Sequence, residues 1–382
     1  MTSADRLEFW SSCGAADRDA AALTAYARSG FDDAVFDRAI ECPLPDEPFV
    51  AAWERYVSAA ERIGAVASLR RALMQLRFPI AAGMSENPTY LAAVRRGVWT
   101  GDLLKDGVEF VSPEAIRIFI HPTAAGRVPI VVAGAREDFV SLVRAVTCRN
   151  EPRPIPGAMG ACIVAGYNNW DRVAALGADF GSAIGNKSLY QDRFIILSSG
   201  PYSGVPAADV GVADGDWPRM SLTIRLEHEC AHYVTRHALG TMRNSMLDEL
   251  IADYAGIVSA AGDYRAAWFL RFLGLDSPGA CRTGGRIHTY RGTPPLSDDA
   301  FEILQCVVCR AARQLEAFDR ARRHRRWDAI AAARTIVALA GTGLEGLASG
   351  DAGDRLDAAM RAANAIVRDR TVADLYRIEA RG

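Results

Sequence analysis

The residues His228-Glu229-Cys230-Ala231-His232 form an HExxH pattern in a chain that holds only six histidines among 382 residues. Residues four apart on an α-helix lie on one face, so the two imidazoles can converge on one metal ion, while Glu229 is turned by ~100° and can face a bound water. Imidazole pairs at that spacing beside a carboxylate suit a zinc ion at a hydrolytic centre. A third ligand has to come from elsewhere. Glu249, followed four residues later by Asp253, supplies carboxylates on what reads as the next helix. Three protein ligands leave one position on zinc open. Asp253 can also ligate in place of Glu249, with Asp248 a weaker substitute.

The pattern does chemistry only on a helix. Pro218 stands near the expected start, residues 220–226 run without glycine or proline, and Gly240 stands where a cap ends the helix. Leu222, Leu226, Tyr233 and Val234, with small Cys230 and Ala231, put apolar surface on several sides and predict a buried helix that holds its ligands still. On the second helix Asn244 or Ser245 is the expected cap, and Met246, Leu247, Leu250, Ile251, Tyr254 and Val258 form an apolar stripe. Glu249, Ala252, Asp253 and Gly256 share another face, whose two very small residues let it lie close against the first helix. Glu249 then reaches the metal, and Asp253 accepts the remaining ring proton of a ligand histidine. The competing reading takes Asp248, Glu249 and Asp253 as the solvated face of an ordinary amphipathic helix.

HExxH followed on a later helix by Glu-x-x-x-Asp resembles the gluzincin group of zinc metallopeptidases, over residues 217–259. The resemblance implies His228, His232 and Glu249 as zinc ligands, Glu229 as general base and Asp253 as the partner behind a ligand histidine. It also implies a sheet edge beside the zinc helix that binds extended peptide, for which Phe194-Ile195-Ile196-Leu197-Ser198 is the candidate. The same run fits a buried central strand. His237, five residues after His232, is rotated ~140° from the ligand face and reads as a surface or packing residue.

A zinc-held water, its pKa lowered to about 7, would lose its proton to Glu229 while attacking a polarised carbonyl, and Glu229 would then protonate the leaving amine. The developing oxyanion calls for one more donor. Arg286, His288 and Tyr290 are the leading candidates, with Tyr202 outside that group; His288 and Tyr290 also read as a polar pair in a loop or strand. The expected function is therefore a zinc-dependent hydrolase that cleaves peptide or amide bonds. Two alternatives are a non-catalytic binding protein whose metal staples two helices, which has no use for Glu229, and a zinc enzyme acting on a small amide metabolite.

A formal charge of minus two gives no general attraction to nucleic acid or acidic membranes, and a 50% hydrophobic composition can bury a large core. No apolar run approaches the ~20 residues of a transmembrane helix, and residues 1–10 lack the basic and apolar regions of a secretory signal. The eight cysteines are too scattered for a disulfide scaffold, so reduced thiols and a cytoplasmic location are expected. Cys306 and Cys309 form a CxxC inside an apolar helical stretch and read as core packing.

The fold class expected is α+β and predominantly helical, with a small mixed sheet beside a zincin-like helix pair, flanked by helical regions at both ends. Four successive regions are expected: helical 1–84, α+β 85–205, zinc-binding 206–297 and helical 298–382. Residues 47–76 form an amphipathic stretch that Gly64 interrupts. Residues 116–121 and 128–132 read as a hairpin, 137–147 as a helix, and 161–165 and 193–198 as further strands. Past Pro295, Ser297 caps a helix to about residue 323, followed by helices over 328–339 and 351–368. The basic cluster 320–326 reads as a solvated helix end.

Overall fold

Gly64 ends one helix and starts another. Val50–Ile63 and Ala65–Ala72 meet at this glycine, whose φ of +85° is a conformation that other residues rarely adopt, so the amphipathic stretch breaks where the sequence predicts. The computed structural model describes residues 2–28, 38–99, 107–177, 180–240, 245–277, 280–322 and 327–370. Asn244, residues 323–326 of the basic cluster and residues 371–382 lie outside these. The protein is a predominantly helical α+β structure. Contacts divide it into two units, residues 1–44, 123–125 and 201–382 in one and 45–122 with 126–200 in the other. This division cuts across the four successive regions expected: residues 1–44 group with the site and C-terminal helices, and 45–84 with the sheet.

The sheet unit is built on four strands in the order Arg117–Thr123, Gly126–Ala133, Gln191–Ser198, Ala161–Asn168. Gly126–Ala133 runs parallel to Gln191–Ser198, with Ile130 opposite Ile195, and Ala161–Asn168 runs antiparallel to it, with Cys162 opposite Ile196. The sheet is thus mixed, as expected. Trp53, Leu69, Phe139, Leu142 and Phe194 pack into one core beside it. Within that core the buried Asp192 accepts from Trp53 Nε1 (2.8 Å), Asn169 Nδ2 (2.7 Å) and Arg172 (2.6 Å), which satisfies a charge that burial would otherwise penalise.

One expectation is overturned here. The strand holding Phe194 to Ser198 is not a sheet edge: it is bonded on both sides, and Phe194, Ile195 and Leu197 are fully buried. Its backbone groups are already paired, so no peptide can add alongside it. The continuous apolar run was the mark of an interior strand.

The other unit carries the helices Trp217–Ala238 and Met246–Ala261, then Ala266–Leu273, Asp298–Arg320, Ala329–Ala348 and Ala352–Ile366. Ser297 caps Asp298–Arg320 by accepting from Ala300 N–H, and Asp328 caps Ala329–Ala348 in the same way. Ala329–Ala348 is long and apolar enough to cross a membrane, contrary to the expectation of no such run, but 67% of its most apolar window is buried within the protein. It also holds a non-helical Gly343 and the buried Glu345. The buried Asp319 ties this region together by accepting from the Tyr254 hydroxyl (2.5 Å) and Tyr264 N–H (2.9 Å). In the basic cluster Arg320 pairs with Glu316 and Arg322 with Asp357. None of the eight cysteines is in a disulfide; Cys309 is buried and Cys306 half-buried on Asp298–Arg320.

Candidate metal centre

Both helices that carry the motif begin and end for local reasons. Trp217–Ala238 has Pro218 in its first turn, where a missing N–H costs nothing, and Gly240 beyond its end takes a positive φ of +77°. Met246–Ala261 has Asp248 and Glu249 in its first turn, facing the positive end of the helix dipole. Ser245 holds the cap position, but its side chain makes no capping hydrogen bond. The helices approach closely at Gly256, as its size predicts: a Cβ there would stand 2.6 Å from the Ile224 carbonyl oxygen.

This approach brings His228, His232 and Glu249 together, with their ligand atoms all within 4.8 Å of one another and all three residues buried. The two Nε2 atoms face each other at 3.1 Å, His232 Nε2 lies 3.6 Å from Glu249 Oε1, and His228 Nε2 lies 3.7 Å from Glu249 Oε2. An ion bound ~2.1 Å from three donors at tetrahedral angles sets them about 3.4 Å apart, and the observed separations bracket that value. Glu249 Oε2 is buried and accepts no hydrogen bond. A buried carboxylate oxygen with no donor is costly unless a cation takes it. The donor set therefore fits a metal ion.

Asp253 stands behind His228, where its Oδ1 lies 2.7 Å from Nδ1. The hydrogen on His228 is thereby assigned to Nδ1, and the Nε2 lone pair points into the triad. Asp253 thus lies on the Nδ1 side of His228, and the group of metal-binding dimensions is made by Glu249 with the two histidines. Asp248, although buried, is not part of the triad. The reading of these acids as a solvated face is likewise overturned, since Asp248, Glu249 and Asp253 are all buried.

The charges are arranged to keep both acids ionised. Burial raises the Glu249 carboxyl, but the His232 hydrogen bond and the charges of His228 and Arg286 outweigh it and hold the group well below the usual carboxylate range. Burial also raises Asp253, and the Arg286 guanidinium followed by His228 more than offsets it. On His232 burial disfavours the charged ring, yet the Glu249 hydrogen bond and charge push its pKa up to about 9 while no metal is bound.

Glu229 is half-buried next to His232, whose charge it favours. Among the described residues no hydrogen bond or ion pair involves its carboxylate. The candidates for an oxyanion donor separate in the structure. His288 is exposed and faces Cys281 Sγ at 3.4 Å and the Phe301 ring, so the structure does not bring it together with the triad. It sits on the tight turn Arg286–Tyr290, where each residue is rotated by roughly a third of a turn from the next, and it points away from the acids that Arg286 and Tyr290 reach. Tyr290 is half-buried and near enough to Arg286 and Glu249 for their charges to act on its hydroxyl. Burial lifts that hydroxyl well above its ordinary range, with Arg286 pulling the other way, so it stays a donor. Tyr202 lies on the far side of His228, its hydroxyl 2.5 Å from Asp253 Oδ1 and 2.9 Å from His228 Nδ1. Arg286 bonds Asp253 and the Tyr202 hydroxyl and stands 3.7 Å from Glu249 Oε2. His237 packs on the Tyr233 ring, as expected.

A family model matches residues 8–351, which is most of the chain. The chain belongs to DUF7005, a family of unknown function. No curated protein and no solved structure matches this DUF7005 chain. Sequence reasoning did not single out Tyr26, which lies far away in sequence, carries no motif and donates its hydroxyl to the Tyr290 carbonyl at 2.8 Å. Its aromatic position in Asp17–Ala27 is indistinguishable from a packing residue until the fold places it.

Proposed function

We propose that this DUF7005 member is a zinc-dependent hydrolase of peptide or amide bonds, with His228, His232 and Glu249 holding the ion and Glu229 as general base. One observation carries the reading: a buried three-donor set of metal-binding dimensions with a carboxylate, Glu229, whose charge acts on His232 and which makes no hydrogen bond or ion pair with a described residue. The gluzincin likeness supports the same roles, with HExxH at 228–232 and ExxxD at 249–253.

Zinc bound there would supply a Lewis acid and acidify a water. The chain's own residues do the rest. Asp253 holds the hydrogen on His228 Nδ1 and keeps Nε2 bare. Glu249 stays ionised and offsets part of the ion's charge. Glu229, one residue past His228 and turned by ~100°, can take a proton from water and pass it to a leaving amine. A cytoplasmic location agrees with eight cysteines that form no disulfide.

A second reading, a metal that only staples two helices, draws on the burial of the ligands, each 6% exposed or less. Metal analysis and turnover separate the two. Purified protein and Glu229→Gln should each hold about one zinc, and Glu249→Ala should hold much less; equal occupancy in wild type and Glu249→Ala removes Glu249 from the scheme. Turnover of a peptide and amide library should be abolished by Glu229→Gln. A zinc-loaded wild type that turns over nothing, or activity unchanged by Glu229→Gln, sinks the hydrolase reading.

A further inference from the structure

Glu249 and Asp253 lie one helical turn apart, and both are gripped from a single short turn, Arg286–Tyr290. One guanidinium nitrogen of Arg286 donates to Asp253 Oδ2 and stands 3.7 Å from Glu249 Oε2. The other donates to the Tyr202 hydroxyl at 3.1 Å and Ser203 Oγ at 3.4 Å. At the far end of the turn Tyr290 is near enough for the Glu249 charge to act on its hydroxyl, after burial and Arg286. Two like charges about 6 Å apart on one helix repel, and a cation that reaches both offsets that repulsion.

The turn is itself tied down. Tyr26, from helix Asp17–Ala27, donates its hydroxyl to the Tyr290 carbonyl at 2.8 Å and accepts from Met246 N–H at 3.3 Å. Met246 opens the helix that carries both acids, and its N–H is one of the groups that Ser245 leaves uncapped. A single hydroxyl thus joins the backbone of the gripping turn to the backbone of the gripped helix. Gly292, just past the turn, lets Tyr26 in: it has a φ of +85°, and a Cβ there would stand 3.0 Å from the Tyr26 ring.

We propose that the Arg286–Tyr290 turn, stapled by Tyr26, is a clasp that sets how tightly the centre holds its metal, with Arg286, Tyr290 and Tyr26 as positioning residues and none of them a ligand. The inference rests on the reading of His228, His232 and Glu249 as metal ligands. An unanchored glutamate samples many rotamers and must be ordered when the ion arrives. The clasp orders it in advance through the Arg286 ion pair at 3.7 Å, while Oε2 still accepts no hydrogen bond.

The test uses the full chain stripped of metal, with zinc affinity read by chelator competition and geometry by the visible absorption of bound cobalt(II). Arg286→Ala and Tyr290→Phe should each weaken zinc binding by roughly 10- to 100-fold, the range for groups that orient ligands. Tyr26→Phe should weaken it in the same direction by less. Arg286→Lys, which keeps the charge and loses the fork, should recover part of the Arg286→Ala loss. Tyr290→Phe should also shift the cobalt bands while the far-ultraviolet circular dichroism stays unchanged. Wild-type affinity and unshifted bands in the near-isosteric Tyr290→Phe and Tyr26→Phe variants overturn the clasp and leave the metal centre standing. Failure of wild type to take up either metal overturns the centre, and the clasp with it.

Discussion

Gly256 lies so close to Ile224 that a Cβ on it would stand 2.6 Å from the Ile224 carbonyl oxygen and 3.1 Å from Ile224 Cγ2. The helices that carry His228 and Glu249 therefore pack backbone against backbone at this level, and the separation of His228 from Glu249 depends on it.

Gly256→Ala tests that dependence. Alanine favours helix over glycine by roughly 1 kcal/mol, but a clash with backbone cannot be relieved by a rotamer change and costs about 1–3 kcal/mol or more. The clash should win. Thermal melts of the metal-free protein should show a lower midpoint, and zinc affinity should fall as the triad widens. A midpoint at or above that of wild type would mean that the helices are not held at this distance.

Asp253→Asn keeps an acceptor for His228 Nδ1–H and removes the charge that Arg286 faces. Zinc affinity should drop roughly 10- to 100-fold, as for other groups behind a metal ligand. Leaving Arg286 beside a neutral partner should also destabilise the metal-free protein, which chemical denaturation would measure. Unchanged affinity would remove Asp253 from the centre.

The metal-free protein should have a distinctive pH dependence. The folded pKa of His232, about 9, lies above its ordinary 6.5, so this group stabilises fully below 6.5 and the contribution is lost as pH rises through about 9. Glu249 is depressed below its ordinary 4.5, so its contribution is present above 4.5 and is lost on acidification. Both shifts arise largely from one pairing and count once. In chelator the melting midpoint should decline between pH 6.5 and 9. With zinc saturating it should not, because the ion displaces the His232 proton and its affinity climbs with pH. A midpoint in chelator that is flat across this interval counts against the pairing.

Asp192→Ala probes the sheet unit. The substitution leaves Arg172, 7% exposed, with its charge uncompensated, and breaking one partner of a buried pair costs about 3–5 kcal/mol. Denaturant unfolding should show a loss of this size, or no folded protein. A loss below about 1 kcal/mol would mean that water reaches Arg172, as it does an exposed pair.

Sequence alone determined the helical register of His228, Glu229 and His232, the small face at Ala252 and Gly256, and the breaks at Gly64 and Gly240. These follow from local rules: a fixed rotation per residue, the size of a side chain, and a backbone conformation that glycine tolerates. The tertiary structure decided what depends on residues far apart in the chain. It gathered Glu249 with His228 and His232 and set Asp253 behind His228, because that choice turns on the distance and angle at which two helices meet. It paired the strand holding Phe194 on both sides, since an apolar run does not declare its neighbours. It turned His288 out toward Cys281 and brought Tyr290 and the unforeseen Tyr26 in, because a short turn aims successive side chains in different directions and only packing fixes which direction faces the acids.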